Sequence, residues 1–308
     1  MNESRILDGK KIAAAIREGV AREAASLSAS GRPPGLAVVL VGDDPASAVY
    51  VRSKGAAARE VGIAERTLRL PSTTAESELL ALLDALNADD AVDAILVQLP
   101  LPPQISTRRV LEAIAPAKDA DGFHPVNVGR LWQGLPGPVP CTPAGILQML
   151  RLEGIDPKGM RAVVVGRSDI VGKPMAALLM HAHATVTVAH SRTRDLPAVC
   201  READLLVAAI GKAGLVTGDF VREGAIVVDV GMNRVTTASD LERFFPGDAA
   251  RRAAFEKNGS TLVGDCDPAT AFPRASRYTP VPGGVGPLTI ARLLGNTVDL
   301  ARSRRGGA

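Results

Sequence analysis

Aromatic residues are scarce in this chain: one Trp, two Tyr and six Phe make up 3% of its 308 residues. Hydrophobic residues reach 46%, so Ala, Val, Leu and Ile must fill the interior, which is the palette of helices packed on a parallel sheet. Trp132, Tyr50 and Tyr278 lie far apart, and no long basic block stands behind the net charge of +3, so the stacking and cationic face that nucleic acids require is missing. The densest basic stretch, Arg302, Arg304 and Arg305, reads as a frayed, solvated terminus. Cysteine is rare too. Cys141, Cys200 and Cys266 form no CxxC pair and leave an odd thiol under any pairing, which argues against a disulfide framework or a zinc site and fits a reducing compartment. No stretch approaches the ~20 apolar residues of a membrane span, and Met1-Asn2-Glu3-Ser4-Arg5 carries no apolar signal core. A cytoplasmic protein is therefore expected, with neither a nucleic-acid nor a membrane partner. The four histidines supply no metal set, because His181 and His183 are spaced by two and His124 and His190 read as loop hydrogen-bonders. A GxSxG nucleophile turn and a Walker A loop are both absent.

What is present is an alternation of short apolar runs and helical stretches, long enough for two domains. Leu36 to Val41, Thr67 to Leu70 and Ala94 to Leu99 read as strands, separated by helices over Ala46 to Val61 and Glu76 to Leu86. This is an α/β layer with a mostly parallel sheet. The Pro/Gly-rich stretch Gly134 to Pro140 reads as a connector, and Thr142-Pro143 as the N-cap and first residue of a helix through about Glu153. A second, more regular α/β block follows, with strands Ala162 to Val165, Thr185 to Ala189, Leu205 to Ala209 and Ala225 to Val230. After Asn233 come a charged, helix-like segment, an apolar run Thr261 to Val263 and an amphipathic helix from Thr289 to Arg302.

In Ala162 to Pro174 a strand, a turn of small residues and a helix start stand in the order of a dinucleotide site. Gly166 permits the tight turn, and amides at the helix N-terminus can hold pyrophosphate. Ser168 takes the middle and Val171 the last position of a GxGxxG pattern, so a purely structural strand-to-helix turn stays open as an alternative. The second strand of this block ends in Ala189-His190-Ser191-Arg192, without the acid that would bind an NAD ribose. Arg167, Ser191 and Arg192 instead suit a 2′-phosphate, which favours NADP. Tyr50 and Lys54, at i and i+4, share one helix face. Gly55 inside that helix is unfavourable by ~1 kcal/mol relative to Ala and hints at close approach by a ligand or another backbone. Gln98 ends a strand at the sheet edge where ligands collect, and Asp121 lies on a loop. A solvated lysine and a turn-forming acid are the plain readings of Lys54 and Asp121.

Tyr50-Val51-Arg52-Ser53-Lys54, Val97 to Pro102, Lys118 to Pro125, Pro140-Cys141-Thr142-Pro143, Gly166 to Pro174 and Pro282 to Thr289 together resemble the bifunctional methylenetetrahydrofolate dehydrogenase/methenyltetrahydrofolate cyclohydrolase family. The resemblance runs in order through nearly the whole chain. It implies two α/β domains with a cleft between them. Residues 1–141 would form a folate-binding catalytic domain, completed by a C-terminal helix over 287–308, and 142–286 a Rossmann-like NADP-binding domain, in a homodimer. It also implies NADP-dependent oxidation of 5,10-methylenetetrahydrofolate to the methenyl cation, then hydrolysis to 10-formyltetrahydrofolate.

By the family pattern Lys54 is the base of the hydrolysis, Gln98 hydrogen-bonds and tunes it, Tyr50 stacks on or orients the folate, and Asp121 binds the amino-pyrimidine edge of the pterin. A lysine can serve as a base where burial and a cationic substrate favour its neutral form. Pro282, Gly283 and Gly284 would let backbone approach the substrate. Gly166, Arg167, Ser168, Ser191 and Met232 match cofactor-contacting positions. The segment Val235 to Lys257 exceeds the short turn common in the family and, following Met232, could reshape the cofactor rim. Two other readings compete: a Rossmann dehydrogenase acting on another small metabolite, and a nucleotide-sensing module without turnover, which leaves Tyr50, Lys54, Gln98 and Asp121 unexplained.

Overall fold

A computed structural model describes residues 3–306. Along the chain run α1 (Gly9–Ala29), β1 (Gly35–Val41), α2 (Pro45–Glu60), β2 (Ala64–Leu70), α3 (Glu76–Ala88), β3 (Ala94–Val97), α4 (Thr107–Ala113), α5 (Pro125–Gln133) and α6 (Cys141–Leu152). Then follow β4 (Arg161–Val165), α7 (Gly172–His181), β5 (Thr185–Ala189), α8 (Leu196–Arg201), β6 (Leu205–Ala208), β7 (Ile226–Asp229), β8 (Asn233–Val235), α9 (Ala238–Phe244), α10 (Ala249–Asn258), β9 (Thr261–Val263), β10 (Arg277–Tyr278) and α11 (Val285–Arg304). No helix among the described residues is long and apolar enough to cross a membrane.

The chain divides into two compact units, one of residues 13–141 and 290–306, the other of residues 3–12 and 142–289. The first holds a parallel sheet in the order β2-β1-β3. All seven residues of β1 are buried, as a central strand covered on both faces must be. Leu79, Leu83 and Leu86 of α3, at helical spacing, pack with Ala37, Val39, Val41 and Ile95. β2 carries Glu65, Arg66 and Arg69 and is half exposed, a charged edge that discourages further strand pairing. Leu99–Pro100, just past β3, is a cis peptide.

The second unit holds a five-stranded parallel sheet in the order β10-β7-β6-β4-β5. Its core joins Val163, Val165, Leu206, Ala208 and Val227 to a stacked Phe272–Tyr278 pair, ring centroids 4.1 Å apart. Residues 3–12 fall here rather than with the stretch that follows them in sequence. Leu7 N donates to Tyr278 O at 2.8 Å, Ile6 bridges Tyr278, and Arg5 donates to the carbonyl oxygens of Phe272 and Pro273.

Two local expectations change, and a third, the helical segment after Asn233, gains detail. α6 begins at Cys141, so Thr142 lies inside the helix instead of capping it, and its hydroxyl shares a 2.8 Å hydrogen bond with that of Thr289. Arg304 and Arg305 are not a solvated tail: with Arg32 they converge on Asp93, whose side chain is fully buried, at 2.8, 2.6 and 2.7 Å. The segment after Asn233 is a small subdomain, in which α9 and α10 pack over the antiparallel pair β8–β9 around Val235, Phe244 and Val263.

Candidate active site

In the unit of residues 13–141 and 290–306, α2 carries Tyr50 and Lys54. Asp44 caps its start by accepting from Ser47 N at 2.7 Å, with Pro45 at the first helical position, where its missing N–H costs nothing. Gln98 stands one residue beyond β3 and stays in the ladder through Gln98 N to Val39 O at 2.8 Å. Lys54 Nζ donates to Gln98 Oε1 at 2.9 Å, while Gln98 Nε2 donates to Leu99 O at 2.6 Å. The second bond fixes the amide so that oxygen, not nitrogen, faces the amine. The glycine beside Lys54 has a different reason from the one its sequence context suggests. A Cβ on Gly55 would meet the Glu65 carboxylate at 3.0–3.2 Å, so the close neighbour is a β2 side chain rather than a ligand or another backbone.

Asp121 sits on the turn before α5. Burial raises its carboxyl to about 6, the charge of Asp119 adds to the rise, and the Lys54 ammonium and a hydrogen bond with Cys141 oppose it. The electrostatic coupling brings Asp121 into the neighbourhood of the Lys54–Gln98 pair. Burial lifts the Cys141 thiol as well, with the Asp121 charge helping, so it remains a neutral donor, 3.5 Å from Ala120 O. Tyr50 is 38% exposed, and partial burial raises its phenol.

Sequence reasoning missed what holds the Asp121 turn. Asp119 accepts from Gly122 N, His124 N and Asn127 Nδ2 at 2.8–3.0 Å, and Asn296 Nδ2 on α11 donates to Ala120 O and Val139 O at 2.9 Å. The doubled acid in Lys118-Asp119-Ala120-Asp121 was the only local signal.

In the other unit, a cavity of about 290 Å³ opens at the ends of β4, β5 and β6, lined by Gly166, Arg167, Ser168, His190, Ser191 and Lys212 among others. A Cβ on Gly166 (φ +135°) would lie 2.1 Å from Ala209 O, and one on Gly172 would lie 2.2 Å from Gly166 O. Both positions demand glycine, the first also for its backbone conformation. The position of close helix packing is thus Gly172, one residue after the Val171 that pattern matching assigned. Ser168 Oγ accepts from Val171 N and Gly172 N at 3.2 and 3.3 Å and so closes the turn that leads into α7.

Arg192 and Met232 are exposed and are not among the residues lining this cavity. Lys212 is, and was not foreseen. His190 and His124 are loop hydrogen-bonders, each accepting at Nδ1 from the amide two residues on. The cavity has cations and hydroxyls and no carboxylate on its lining, and its turn comes as close to the strands as only glycine allows. These residues fit a phosphorylated dinucleotide with a 2′-phosphate.

Pro282, Gly283 and Gly284 precede α11, with Val281–Pro282 cis. A Cβ on Gly9 would lie 1.6 Å from Gly284 O, and one on Gly284 2.6 Å from Pro280 O. Here the close approach is of the chain to itself. Within the segment Val235 to Lys257, Phe244 packs over Gly214, where a Cβ would lie 2.1 Å from its ring.

One unit thus holds a lysine bonded to an amide near a buried acid, and the other a cavity at the ends of parallel strands whose turn demands glycine, as in two-part α/β enzymes with a nucleotide-binding domain. The sequence pattern of the tetrahydrofolate dehydrogenase/cyclohydrolase family matches over residues 7–121 for its catalytic domain and 140–305 for its NAD(P)-binding domain. The chain belongs to this family. It is 58% identical over 301 residues to the bifunctional protein FolD of Koribacter versatilis strain Ellin345, covering 98% of each chain. The crystal structure of the bifunctional FolD of Campylobacter jejuni is similar with TM-score 0.87 at 45% identity, over 97% of this chain and 99% of that one. That of the Trypanosoma brucei dehydrogenase–cyclohydrolase, complexed with NADP cofactor and inhibitor, gives TM-score 0.88 at 38% identity, over 99% and 100%.

Proposed function

We propose that this chain oxidises 5,10-methylenetetrahydrofolate with NADP and hydrolyses the methenyl product to 10-formyltetrahydrofolate, with Lys54 as the base of the second step. The observation that carries the reading is the Lys54–Gln98 hydrogen bond with Asp121 coupled to it, in a chain of this family. The methylene carbon loses a hydride and leaves a cation delocalised over two nitrogens. Bound NADP supplies the hydride acceptor. Arg167 and Lys212 would balance the phosphate charge and Ser191 would hydrogen-bond it, Ser168 fixes the turn, and Gly166 would let the backbone close on it. In hydrolysis, water adds to the cationic carbon and loses a proton to the Lys54 amine; the adduct then opens as one C–N bond breaks, its hydroxyl proton passing to the released nitrogen and the carbon staying as formyl on the other. Gln98, locked by its bond to Leu99 O, holds one N–H of that amine and so aims the rest of the group. Asp121, as carboxylate, offers paired acceptors to the amino-pyrimidine edge of the pterin, and Tyr50 orients the folate ring.

Two further expectations complete the reading, a homodimer and a cytoplasmic enzyme. The family membership and the absence of any spanning helix among the described residues are consistent with them. A spectrophotometric assay that follows NADPH and the methenyl intermediate separately tests the proposal. Lys54→Gln should abolish cyclohydrolase activity, and full retention would overturn the role of Lys54. NADPH formation without folate would instead favour another substrate.

A further inference from the structure

The loop after β6 forms one wall of the dinucleotide pocket through Ala209, Ile210 and Lys212; Ala209 N still joins the sheet ladder through Val165 O at 2.8 Å, and past it something else must set the shape. One side chain does so. Asp265, fully buried, accepts from Ile210 N at 2.5 Å and Gly211 N at 2.8 Å through Oδ2, and from Lys212 N at 2.9 Å through Oδ1. Its Oδ1 also accepts from Asn233 Nδ2 at 3.0 Å, and Asn233 directly follows Met232. Three successive amides pointing into one concavity form an anion-binding nest, and the protein fills this one with its own carboxylate. The amides of 210–212 are therefore occupied, while Ile210 and Lys212 still line the cavity.

Asp265 is held in place with little slack. Its own amide donates to Asp229 Oδ1 at 2.8 Å, and Asp229 Oδ2 accepts from Cys266 N at 2.9 Å. A Cβ on Gly231 would lie 2.3 Å from Asp265 N, and one on Gly264 would lie 1.8 Å from Asp229 Oδ2. Asp229, Gly231, Gly264 and Asp265 thus meet with no room for a larger side chain at either glycine.

We infer that Asp265 is a positioning residue for NADP: without touching the cofactor, it fixes the 210–212 wall and ties it to the segment that carries Met232. The inference rests on the dinucleotide reading of the pocket. It predicts a division that general destabilisation would not produce, because hydrolysis of the methenyl substrate needs no nucleotide and its proposed residues lie in the other unit.

Asp265→Asn replaces one acceptor by an NH2 group facing N–H donors. In this variant the KM for NADP should rise at least tenfold, with weaker NADP binding by calorimetry, while nucleotide-free cyclohydrolase activity stays within twofold of the parent. Amides 210–212 should exchange hydrogen faster, without a general rise elsewhere. Asn233→Ala, which removes one donor to the same carboxylate and leaves the three amides bound, should raise the KM for NADP a few-fold in the same direction, and it carries the test if Asp265→Asn fails to fold. An unchanged KM for NADP in a folded variant, or an equal loss of the nucleotide-free activity, overturns the inference alone. Absence of NADP binding by the parent protein overturns the pocket assignment and the inference with it.

Discussion

A carboxyl with its pKa raised to about 6 changes charge within the range in which enzymes are ordinarily assayed. Asp121 is such a group, raised by burial against the pull of Lys54. Its folded value lies above the ordinary 3.8, so the folded state binds the proton more tightly, and its ionisation costs stability as pH rises through the window from 3.8 to about 6. Function runs the other way, because under the proposed role only the carboxylate pairs with the pterin amino groups. The KM for folate should fall as pH rises through about 6, and Asp121→Asn should remove that inflection; a profile identical in both proteins would speak against the assignment. Lys54, Gln98 and Asp121 were legible because each sits in a short motif whose chemistry can be named. Asp119, Asp229 and Asp265 were not. Asp265 serves amides more than fifty positions away, and Asp119 and Asp229 likewise take backbone N–H groups from turns, partnerships that no periodicity announces.

At the level of elements, the strand–turn–helix from β4 into α7 was read almost to the residue, since a Val run followed by glycine and small polar residues has few other uses. Its one misplacement, Val171 for Gly172, is instructive. Pattern spacing counts positions, whereas the steric requirement follows the carbonyl of Gly166, which lies 2.2 Å from where a Gly172 Cβ would stand. Gly172→Ala should push the helix start away from the strand at a cost of about 1–3 kcal/mol. NADP affinity should then drop with cyclohydrolase activity kept, as measured by nucleotide titration beside the hydrolytic assay. β2 was underestimated at its N-terminal end for the opposite reason. Glu65 and Arg66 hide an edge strand from a search for apolar runs.

For the molecule as a whole, the α/β architecture was legible, but the attachment of the chain's outer segments was not. Arg304 and Arg305 looked like solvent-bound charges because nothing nearby in sequence balances them, while their partner Asp93 lies 211 and 212 positions earlier. Burial alone would raise the Asp93 carboxyl, yet hydrogen bonds from Arg32, Gly35 N and Arg305 hold it below 3.8. A depressed folded value means that its contribution to stability is present above about pH 4 and is lost as pH falls through the folded value. Asp93→Asn should lower the stability of the unit of residues 13–141 and 290–306 by about 3 kcal/mol or more, because the arginines lose the carboxylate they share. Thermal unfolding at pH 7 and at pH 3 checks this: the gap between parent and variant should shrink in acid.

The same carboxylate also sets an order of events in biosynthesis. Asp93 leaves the ribosome about two hundred residues before Arg304 and Arg305, so a nascent sheet of β1, β2 and β3 must wait with a buried acid satisfied by Arg32 and Gly35 N alone. Until the end of α11 arrives, that unit lacks two of the three arginines that meet Asp93.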